Sequence, residues 1–530
     1  MATDLSAQRA LIDRLRETLP RADPTVPAEL IETHISWVLL TGAHAYKLKK
    51  AVNLGFLDFT TLPGRRDYCE QELRLNRRLA PAIYLDVVAI TGTVDAPVVG
   101  GGGPALEYAV KMREFPQAAL ASHVLARGEL TPAHIDALAA DVAAFHGRVG
   151  VAPAVGAYGL PGDILRVALA NFDATRASAD DPAERAALDA LHDWTQREHA
   201  TCTPLFVARR EQGFVRECHG DLHLGNMVLL DGRLTVFDCI EFNDRLRWID
   251  VLSEVAFVVM DLQDRGAPAL AHRFLNAYLE ITGDYAGLPV LRFYLAYRAM
   301  VRAKVTRLRL NQMEPGDARA APLSEYRAYL KLAAHYARPP RPAIAITHGL
   351  SGCGKTTLTQ GLLELTGAVR IRTDVERKRL HGLKPDERTG SGIASGLYAA
   401  EATRATYDRV CADARCVVAA GDVAIVDATF LHRWQRDLFR QLATELGIPF
   451  VIIAFAASEA TLRRRLAQRS RAGTGASDAD VAVLEHQLRT QDPLAPDEQG
   501  FVVIFDAEAP MQHANDPSTW HPVLARLGPA

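Results

Sequence analysis

The segment 349-GLSGCGKTT-357 constrains the fold of this chain more than any other stretch of its sequence. It fits the pattern G-x-x-x-x-G-K-[ST], in which glycines let successive backbone N–H groups turn toward phosphate oxygens. The apolar segment 343-AIAITHGL-350 before it predicts a buried strand, and 356-TTLTQGLLELTG-367 after it predicts a helix. A strand, a phosphate-binding loop and a helix in this order predict an α/β domain. A glycine-rich turn with a chance lysine is the simpler alternative.

The residue types of this loop suit a nucleotide that binds together with a metal ion. Lys355 is expected to reach the β- and γ-phosphates of ATP, and the Thr356 hydroxyl is expected to ligate Mg²⁺. The helix that follows would add the partial positive charge of its N-terminus. The loop residues predicted to bind ATP are Gly349, Ser351, Gly352, Cys353, Gly354, Lys355, Thr356 and Thr357.

Two aspartates further along the chain are candidates for metal binding and proton transfer. Asp427 ends the apolar strand in 423-VAIVDATF-430 and is predicted to bind Mg²⁺ or to orient the attacking group. Asp374 follows a short strand in 370-RIRTDVERKRL-380 and is the candidate base, with Arg377 as a candidate cation for the acceptor. The structural alternatives are an ordinary acid at a strand end for Asp427 and a helix N-cap for Asp374.

An arginine cluster occupies 462-LRRRLAQRSRAG-473. On a helix, positions four residues apart share one face, so Arg465 and Arg469 are neighbours. We predict that these two arginines close over the transferring phosphate. A solvated basic helix face is the alternative interpretation of the cluster.

These motifs resemble those of the P-loop kinase-like AAA_33 group, which lies near gluconate kinases, zeta-toxin-like kinases and the kinase part of polynucleotide kinases. The resemblance covers about residues 342–510 and rests on 349-GLSGCGKTT-357, 371-IRTDVERKRL-380 and 423-VAIVDATF-430. It implies phosphoryl transfer to a hydroxyl group.

A second set of catalytic residue types occurs well before this loop, in 219-HGDLHLGN-226. Asp221 and Asn226 have the spacing D-x-x-x-x-N of the kinase catalytic loop, in which the aspartate accepts the substrate proton and the asparagine holds Mg²⁺. Downstream, 234-LTVFDCIEF-242 places Asp238 after a strand, where kinases carry their metal-binding aspartate. Each residue alone could be an ordinary turn residue, but the ordered set predicts one metal–phosphate centre.

A kinase-like site also needs a cation on a strand and a glutamate on the next helix. The strand 45-AYKLKK-50 carries Lys47 and Lys49 on one face, and the following helix offers Glu72. Lys47 with Glu72 is the favoured pair, although Lys49 fits nearly as well, and a solvated edge strand is the structural alternative.

The strand 109-AVKMREF-115 runs toward the helical part of the sequence and resembles a kinase hinge. Backbone groups around Met112 and Glu114 are expected to form hydrogen bonds with adenine. No G-x-G-x-x-G loop precedes Lys47, where only 41-TGAH-44 is found.

The first part of the chain resembles the aminoglycoside phosphotransferase/choline-kinase-like family over about residues 30–310, with 219-HGDLHLGN-226 as the most specific signature. The resemblance implies a two-lobed protein-kinase-like fold, use of ATP and Mg²⁺, and O-phosphorylation of a small hydroxylated compound. Within it, Asp221 is the base, and Asn226 and Asp238 bind metal. The order of the two parts resembles bacterial proteins that fuse this family to a P-loop ATP-binding domain. An antibiotic-resistance role does not follow from this likeness.

The proline-rich segment 338-RPPRP-342 predicts the main domain boundary, because it can continue neither a helix nor a central strand. Residues 1–337 are predicted to form an α+β protein-kinase-like domain, with a small lobe at about 30–115 and a helical lobe at about 116–337. Residues 343–530 are predicted to form an α/β P-loop NTPase domain with a mainly parallel sheet.

Composition narrows the class of protein. The formal net charge of −3 argues against a general nucleic-acid partner, which would favour a basic excess. Seven scattered cysteines without a C-x-x-C pair indicate reduced thiols. The first 20 residues lack the apolar run of a secretory signal, and no apolar run has membrane-spanning length, so we expect a cytoplasmic protein without a membrane partner.

These observations favour an ATP-dependent phosphotransferase with two nucleotide sites, each acting on a hydroxyl of a small metabolite. Two other functions stay open from the sequence. One is a nucleotide-sensing regulatory or scaffold protein in which one half binds ATP without transfer. The other is a P-loop half that phosphorylates nucleic-acid 5′ ends. The sequence leaves both acceptors and the oligomeric state open.

Overall fold

The fold was analysed in a computed structural model, which describes residues 5–19, 28–55, 57–153, 155–177, 179, 181–314, 316–384, 387, 396–472 and 479–528. The strands are β1 (Glu29–Glu32), β2 (Ser36–Leu40), β3 (His44–Lys49), β4 (Tyr84–Gly92), β5 (Pro97–Val99), β6 (Glu107–Arg113), β7 (Val215–Glu217), β8 (Met227–Leu230), β9 (Arg233–Val236), β10 (Trp248–Asp250), β11 (Ala343–His348), β12 (Val369–Arg372), β13 (Val423–Asp427), β14 (Phe450–Ala456) and β15 (Val502–Asp506).

The helices are α1 (Leu5–Thr18), α2 (Leu62–Asn76), α3 (Ala121–Ala126), α4 (Pro132–Arg148), α5 (Pro161–Arg176), α6 (Pro182–Glu211), α7 (Asp244–Arg247), α8 (Val251–Asp264), α9 (Pro268–Thr282), α10 (Leu291–Asn311), α11 (Ala320–Tyr336), α12 (Lys355–Thr366), α13 (Thr373–Leu380), α14 (Ala400–Ala419), α15 (Arg433–Leu446), α16 (Glu459–Ala472), α17 (Val481–Thr490), α18 (Met511–Ala514) and α19 (His521–Leu527). In the part of the chain that the structure describes, no helix is long and apolar enough to cross a membrane.

The first sheet has six antiparallel strands in the order β1-β2-β3-β6-β4-β5. Its alternating apolar residues face two separate cores, as the pleat of a strand requires. Trp37 and Leu39 pack with Leu15 of α1, whereas Leu40 packs with Cys69 of α2. The two helices therefore cover opposite faces of this sheet. The sequence did not predict α1.

The second sheet has five strands in the order β12-β13-β11-β14-β15, and every pair is parallel. Strand β11 is buried along nearly its whole length, as in a sheet with both faces covered. The phosphate-binding loop follows this central strand and leads into α12. The predicted parallel sheet is confirmed.

The described chain divides into two compact units, one made of 1–160 and 209–258 and the other of 161–208 and 259–530. The second unit thus contains the parallel sheet together with the later helices of the region that resembles the aminoglycoside phosphotransferase/choline-kinase-like family. The boundary at 338–342 stays a prediction about sequence domains.

Within the second unit, α9 closes the edge of the parallel sheet. The edge strand β12 would otherwise present unpaired backbone groups. The buried Asn276 side chain donates to Ala368 O at 3.0 Å and accepts from Arg370 N at 2.8 Å, so it acts as a short substitute for a neighbouring strand.

We expect Asn276→Ala to lower the free energy of unfolding by about 2–4 kcal/mol, because it leaves two buried backbone groups without a partner. Asn171→Ala is the matched control, since among the described residues the similarly buried Asn171 side chain bonds only two carbonyls of its own helix, Val167 O and Ala168 O. Chemical denaturation of both variants measures the difference. Equal losses in the two variants would show that Asn276 does not hold the sheet edge.

Candidate active sites

Lys47 lies at the centre of the candidate site in the first unit. Its Nζ atom lies 2.9 Å from Glu72 Oε1 and also pairs with the Asp238 carboxylate. Lys47 is buried, whereas the Asp238 side chain is 39% exposed, so this end of the cluster faces solvent. Strand β3, helix α2 and the turn after β9 bring together three residues predicted from separate motifs.

Lys49 belongs to a different, sealed part of the same cluster. It is completely buried and pairs with Glu72 and with Glu241, a residue that the sequence interpretation missed. Burial alone would raise the pKa of Glu72, but Lys47 and Lys49 hold it at about 2, while burial raises the pKa of Glu241. Lys49 therefore neutralises two buried carboxylates, whereas Lys47 contacts the exposed Asp238.

The predicted catalytic loop brings Asp221 and Asn226 into contact. Asn226 Nδ2 donates to Asp221 Oδ2 at 2.8 Å and to Asp221 O at 3.0 Å. His223 Nδ1 accepts from Gly225 N at 3.1 Å, which leaves the Nε2 atom, 3.3 Å from Asp221 Oδ2, to carry the proton. His223 thus orients Asp221 within the loop.

Glu254 anchors the same loop from the first turn of α8. One of its carboxylate oxygens accepts from the backbone N–H groups of His219 and Gly220, each at 2.7 Å, and the other lies 2.8 Å from His146 Nε2. Burial opposes the charged form, but these hydrogen bonds and the nearby histidines lower the pKa of the Glu254 carboxyl. Glu254 therefore fixes the start of the catalytic loop through two backbone N–H groups.

The backbone of Asp238 has a strained conformation, and hydrogen bonds hold it next to the catalytic loop. Asp238 has φ of 64°, a left-handed conformation that is costly for a non-glycine residue. Its N–H donates to the Tyr84 hydroxyl at 3.1 Å, and the Phe237 N–H donates to Asn226 O at 2.9 Å. These bonds fix the metal-binding candidate next to the catalytic loop.

The hinge candidate Glu114 contacts the turn that joins β2 to β3. Its carboxylate accepts from Thr41 N at 2.8 Å and from Gly42 N at 2.7 Å, and its own N–H donates to Ala43 O at 3.2 Å. The Glu114 N–H is thus already bonded to Ala43 O, and the expectation that backbone groups around Met112 and Glu114 bind adenine stays a prediction. Two backbone N–H groups of the turn 41–44 already bind the Glu114 carboxylate. The turn therefore does not replace a glycine-rich phosphate loop. Met112 is buried in β6 between β3 and β4, and its hinge role stays a prediction.

In the second unit, the phosphate-binding loop needs glycine at defined positions. Gly349 and Gly352 have φ of 150° and 88°. A Cβ atom on Gly349 would lie 2.9 Å from Phe455 O, and one on Gly352 would lie 3.2 Å from Leu462 O. Backbone conformation and close packing both require glycine here.

The lysine and the hydroxyl of this loop lie where the motif predicts. Lys355 Nζ donates to Gly349 O at 2.9 Å and to Leu350 O at 3.0 Å, and the Thr356 hydroxyl donates to the Asp427 carboxylate. The two predicted Mg²⁺ ligands are therefore direct neighbours. Their oxygen donors are of the kind that Mg²⁺ prefers.

A cavity of about 640 Å³ opens beside the loop. Arg465 donates to Cys353 O at 3.2 Å, which ties α16 to the loop, and Arg469 donates to Ala479 O. Gln487, which the sequence interpretation missed, bonds the Ser351 N–H and hydroxyl, both at 2.9 Å. The predicted residues that line this cavity include Lys355, Thr356, Asp374, Asp427, Arg465 and Arg469.

Asp374 lies in the first turn of α13, and the N-cap of that helix is Arg372. The alternative interpretation of Asp374 as an N-cap is therefore wrong. Asp374 lines the same cavity as Thr356 and Asp427, the predicted ligands of the metal.

His348 precedes the loop at the end of β11. Burial, together with Arg436 and Lys355, lowers the pKa of His348 to about 4.

Because the unfolded chain takes up this proton near pH 6.5, stability is expected to fall by up to about 3 kcal/mol as the pH drops from 6.5 to 4. We expect His348→Asn to flatten this part of the stability profile, measured by denaturation at each pH, while the exposed control His521→Asn keeps the wild-type slope. An unchanged slope in His348→Asn would contradict the assignment.

Comparisons with known proteins match two separate stretches of this chain. The model of the phosphotransferase enzyme family matches residues 59–294, and that of an AAA domain, AAA_33, matches residues 344–494. The uncharacterized protein Rv2004c of Mycobacterium tuberculosis is 32% identical over 451 residues, which cover 85% of this chain and 88% of that protein.

Solved structures with similar parts include a choline/ethanolamine kinase family protein from Mesorhizobium loti, at 12% identity and a TM-score of 0.37, covering 63% of this chain and 99% of that one. A gluconokinase from Sinorhizobium meliloti matches at 21% identity and a TM-score of 0.25, covering 36% of this chain and 94% of that one.

The two sheets, the two loops and the two family matches define a phosphotransferase of the kinase class, and they confirm both resemblances and the predicted fold class. In particular, the chain belongs to the same family as Rv2004c, and in this chain the phosphotransferase region precedes the AAA_33 region.

Proposed function

We propose that this phosphotransferase has two ATP sites and that each transfers the γ-phosphoryl group to a hydroxyl of a small molecule. The observation that carries the proposal is that each unit assembles a lysine, a candidate base and oxygen ligands for a metal. In the first unit these are Lys47, Asp221, Asn226 and Asp238. In the second they are Lys355, Asp374, Thr356 and Asp427.

The first site would act through Asp221. Its carboxylate accepts the proton of the acceptor hydroxyl as the acceptor oxygen forms a bond to the γ-phosphorus. The bond from the γ-phosphorus to the β,γ-bridging oxygen breaks, and ADP leaves with the electron pair. Lys47 binds phosphate oxygens while Glu72 fixes its position. Asn226 and Asp238 would hold Mg²⁺, which supplies neutralisation of phosphate charge.

The second site would divide the same tasks among different elements. Lys355 leaves the loop carbonyls to bind the β- and γ-phosphates, and Asp374 accepts the acceptor proton. Thr356 and Asp427 would hold Mg²⁺ in the same charge-neutralising role. Arg465, tied to the loop backbone, adds positive charge where negative charge develops.

The test is incubation of the full chain with γ-labelled ATP and Mg²⁺ in the presence and absence of a metabolite extract. We expect ADP formation to depend on the extract and the label to appear in small hydroxylated compounds, detected by mass spectrometry. Tight ATP binding with no labelled product from any fraction would refute transfer and support a nucleotide-sensing role. Labelling of an added 5′-hydroxyl oligonucleotide instead of small compounds would refute the acceptor class.

A further inference from the structure

The last turn of α9 contacts both ends of α13, the short helix that carries the candidate base Asp374. At the start of α13, the N-cap residue Arg372 donates to Glu280 Oε1 at 2.6 Å. In the last turn of α13, Arg379 donates to Glu280 O and to Ile281 O. One turn of α9 therefore holds the helix of the base at its beginning and at its end.

The contact at Arg379 satisfies groups that a helix end leaves open. The last four carbonyls of a helix have no partner within it and carry a partial negative charge. The Arg379 guanidinium supplies donors and the opposite charge at this end of α9. Helix α13 has only eight residues, a length at which a helix depends on its tertiary contacts. The position of α13, and with it that of Asp374, therefore depends on the elements that hold it.

The Glu280 carboxylate also lies near the arginine that supports the phosphate-binding loop. Its Oε2 atom lies 4.0 Å from the guanidinium of Arg370, which is buried and donates to Thr356 O at 2.7 Å. The contact with Arg372 is shorter and is a direct hydrogen bond. Because Arg370 bonds Thr356 O by itself, the nucleotide side of the site does not require Glu280, whereas the base side does.

Arg372 lines the cavity together with the candidate base Asp374 and the candidate metal ligand Asp427. Burial opposes the charge on its guanidinium, but Glu280, Asp427 and Asp374 raise the pKa of Arg372. Without Glu280, this guanidinium would be free to pair with Asp374, two residues further along the chain. A carboxylate in such a pair accepts a proton poorly, because the adjacent cation stabilises its charged form.

We propose that α9 is a working part of the P-loop site and that Glu280 is a positioning residue for phosphoryl transfer there. Its carboxylate keeps Arg372 from pairing with Asp374 and holds α13 so that the base reaches the acceptor hydroxyl. Helix α9 belongs to the phosphotransferase region of the chain, whereas α13 belongs to the AAA_33 region. Transfer in the AAA_33 region thus depends on a helix of the other region. This role of Glu280 rests on the proposed function of the P-loop site.

The first experiment measures ADP release by the full chain with a metabolite extract, counting only turnover that Lys355→Ala loses. We expect Glu280→Gln to lower kcat by about 10²-fold, the cost of misplacing a reacting group by about 1 Å, with the KM for ATP unchanged. Glu364→Gln is the matched control and should keep the wild-type kcat. Glu364 also pairs with an arginine across the packing of α9, Arg273 at 2.7 Å, and its side chain is 25% exposed against 23% for Glu280.

The double variant Glu280→Gln/Arg372→Gln tests whether Glu280 acts through Arg372. We expect it to lower kcat no further than the larger of the two single losses, because residues that act through one contact are not additive. Losses that multiply in the double variant would overturn the inference.

The second experiment follows amide hydrogen exchange of residues 373–380 in the full chain by mass spectrometry, with neither nucleotide nor extract. Exchange is expected to be faster in Glu280→Gln than in the wild-type chain and in Glu364→Gln. Unchanged exchange, or equal losses of thermal stability in both variants with the wild-type kcat, would overturn the inference and keep the proposed function. No Lys355-dependent turnover with any fraction of the extract would overturn both.

Discussion

Asp221→Asn is expected to lower phosphoryl transfer at the kinase-like site by about 10²–10⁴-fold, the usual contribution of a positioned general base. Asparagine preserves the size of the side chain but cannot accept the proton of the acceptor hydroxyl. Because Asp221 Oδ2 accepts from Asn226 Nδ2, the loop keeps a polar partner at this position. The KM for ATP should therefore change little, and the loss should appear in kcat measured by ADP release.

Asp231→Asn provides the matched control for this prediction. Asp231 is an exposed aspartate in the turn between β8 and β9, and asparagine tolerates its φ of 50°. The control should retain wild-type kcat. A similar loss in both variants, or full activity in Asp221→Asn, would contradict the role of Asp221 as base.

Lys355→Ala is expected to lower turnover at the P-loop site by about 10²–10³-fold, a magnitude typical of losing one preorganised group that stabilises transition-state charge. The Nζ atom bonds Gly349 O and Leu350 O, and alanine removes this cation from the loop. The measurement is ADP release in the Asp221→Asn background, in which the turnover that remains belongs to the P-loop site.

Lys331→Ala is the control for Lys355→Ala, because Lys331 is an exposed lysine on α11. We expect Lys331→Ala to keep the activity. If Lys355→Ala kept it as well, the 349–357 segment would be a glycine-rich turn without catalytic function.

The sequence predicted those features that depend on local backbone chemistry. The loop at 349–357 encodes its own conformation, because Gly349 and Gly352 occupy positions where a side chain would collide with neighbouring backbone. The spacing of Asp221 and Asn226 likewise sets their contact within one short loop. Strand–loop–helix order then predicts the parallel sheet.

Features set by distant partners could not be predicted in the same way. Lys47 and Lys49 lie on one face of β3, and only the folded chain shows that Asp238 meets the first and Glu241 the second. Contacts between residues more than 90 positions apart leave no periodic pattern in the sequence. The contact of Asn276 with Ala368 is of this kind.

The hinge candidate shows that a strand pattern does not reveal the contacts of the side chain at its end. Glu114 lies at the end of the expected strand, but its side chain was not expected to bind the N–H groups of Thr41 and Gly42. The carboxylate satisfies a tight turn, a need that the sequence pattern of the strand does not reveal.

The most direct test of two separate transfer sites follows label from γ-labelled ATP into a metabolite extract, by mass spectrometry, with the wild-type chain, Asp221→Asn, Lys355→Ala and the double variant. If both sites transfer phosphate, two sets of labelled products form, of which each single variant loses one and the double variant loses both. A single set of products that both variants lose equally, or products that survive in the double variant, would contradict two separate transfer sites.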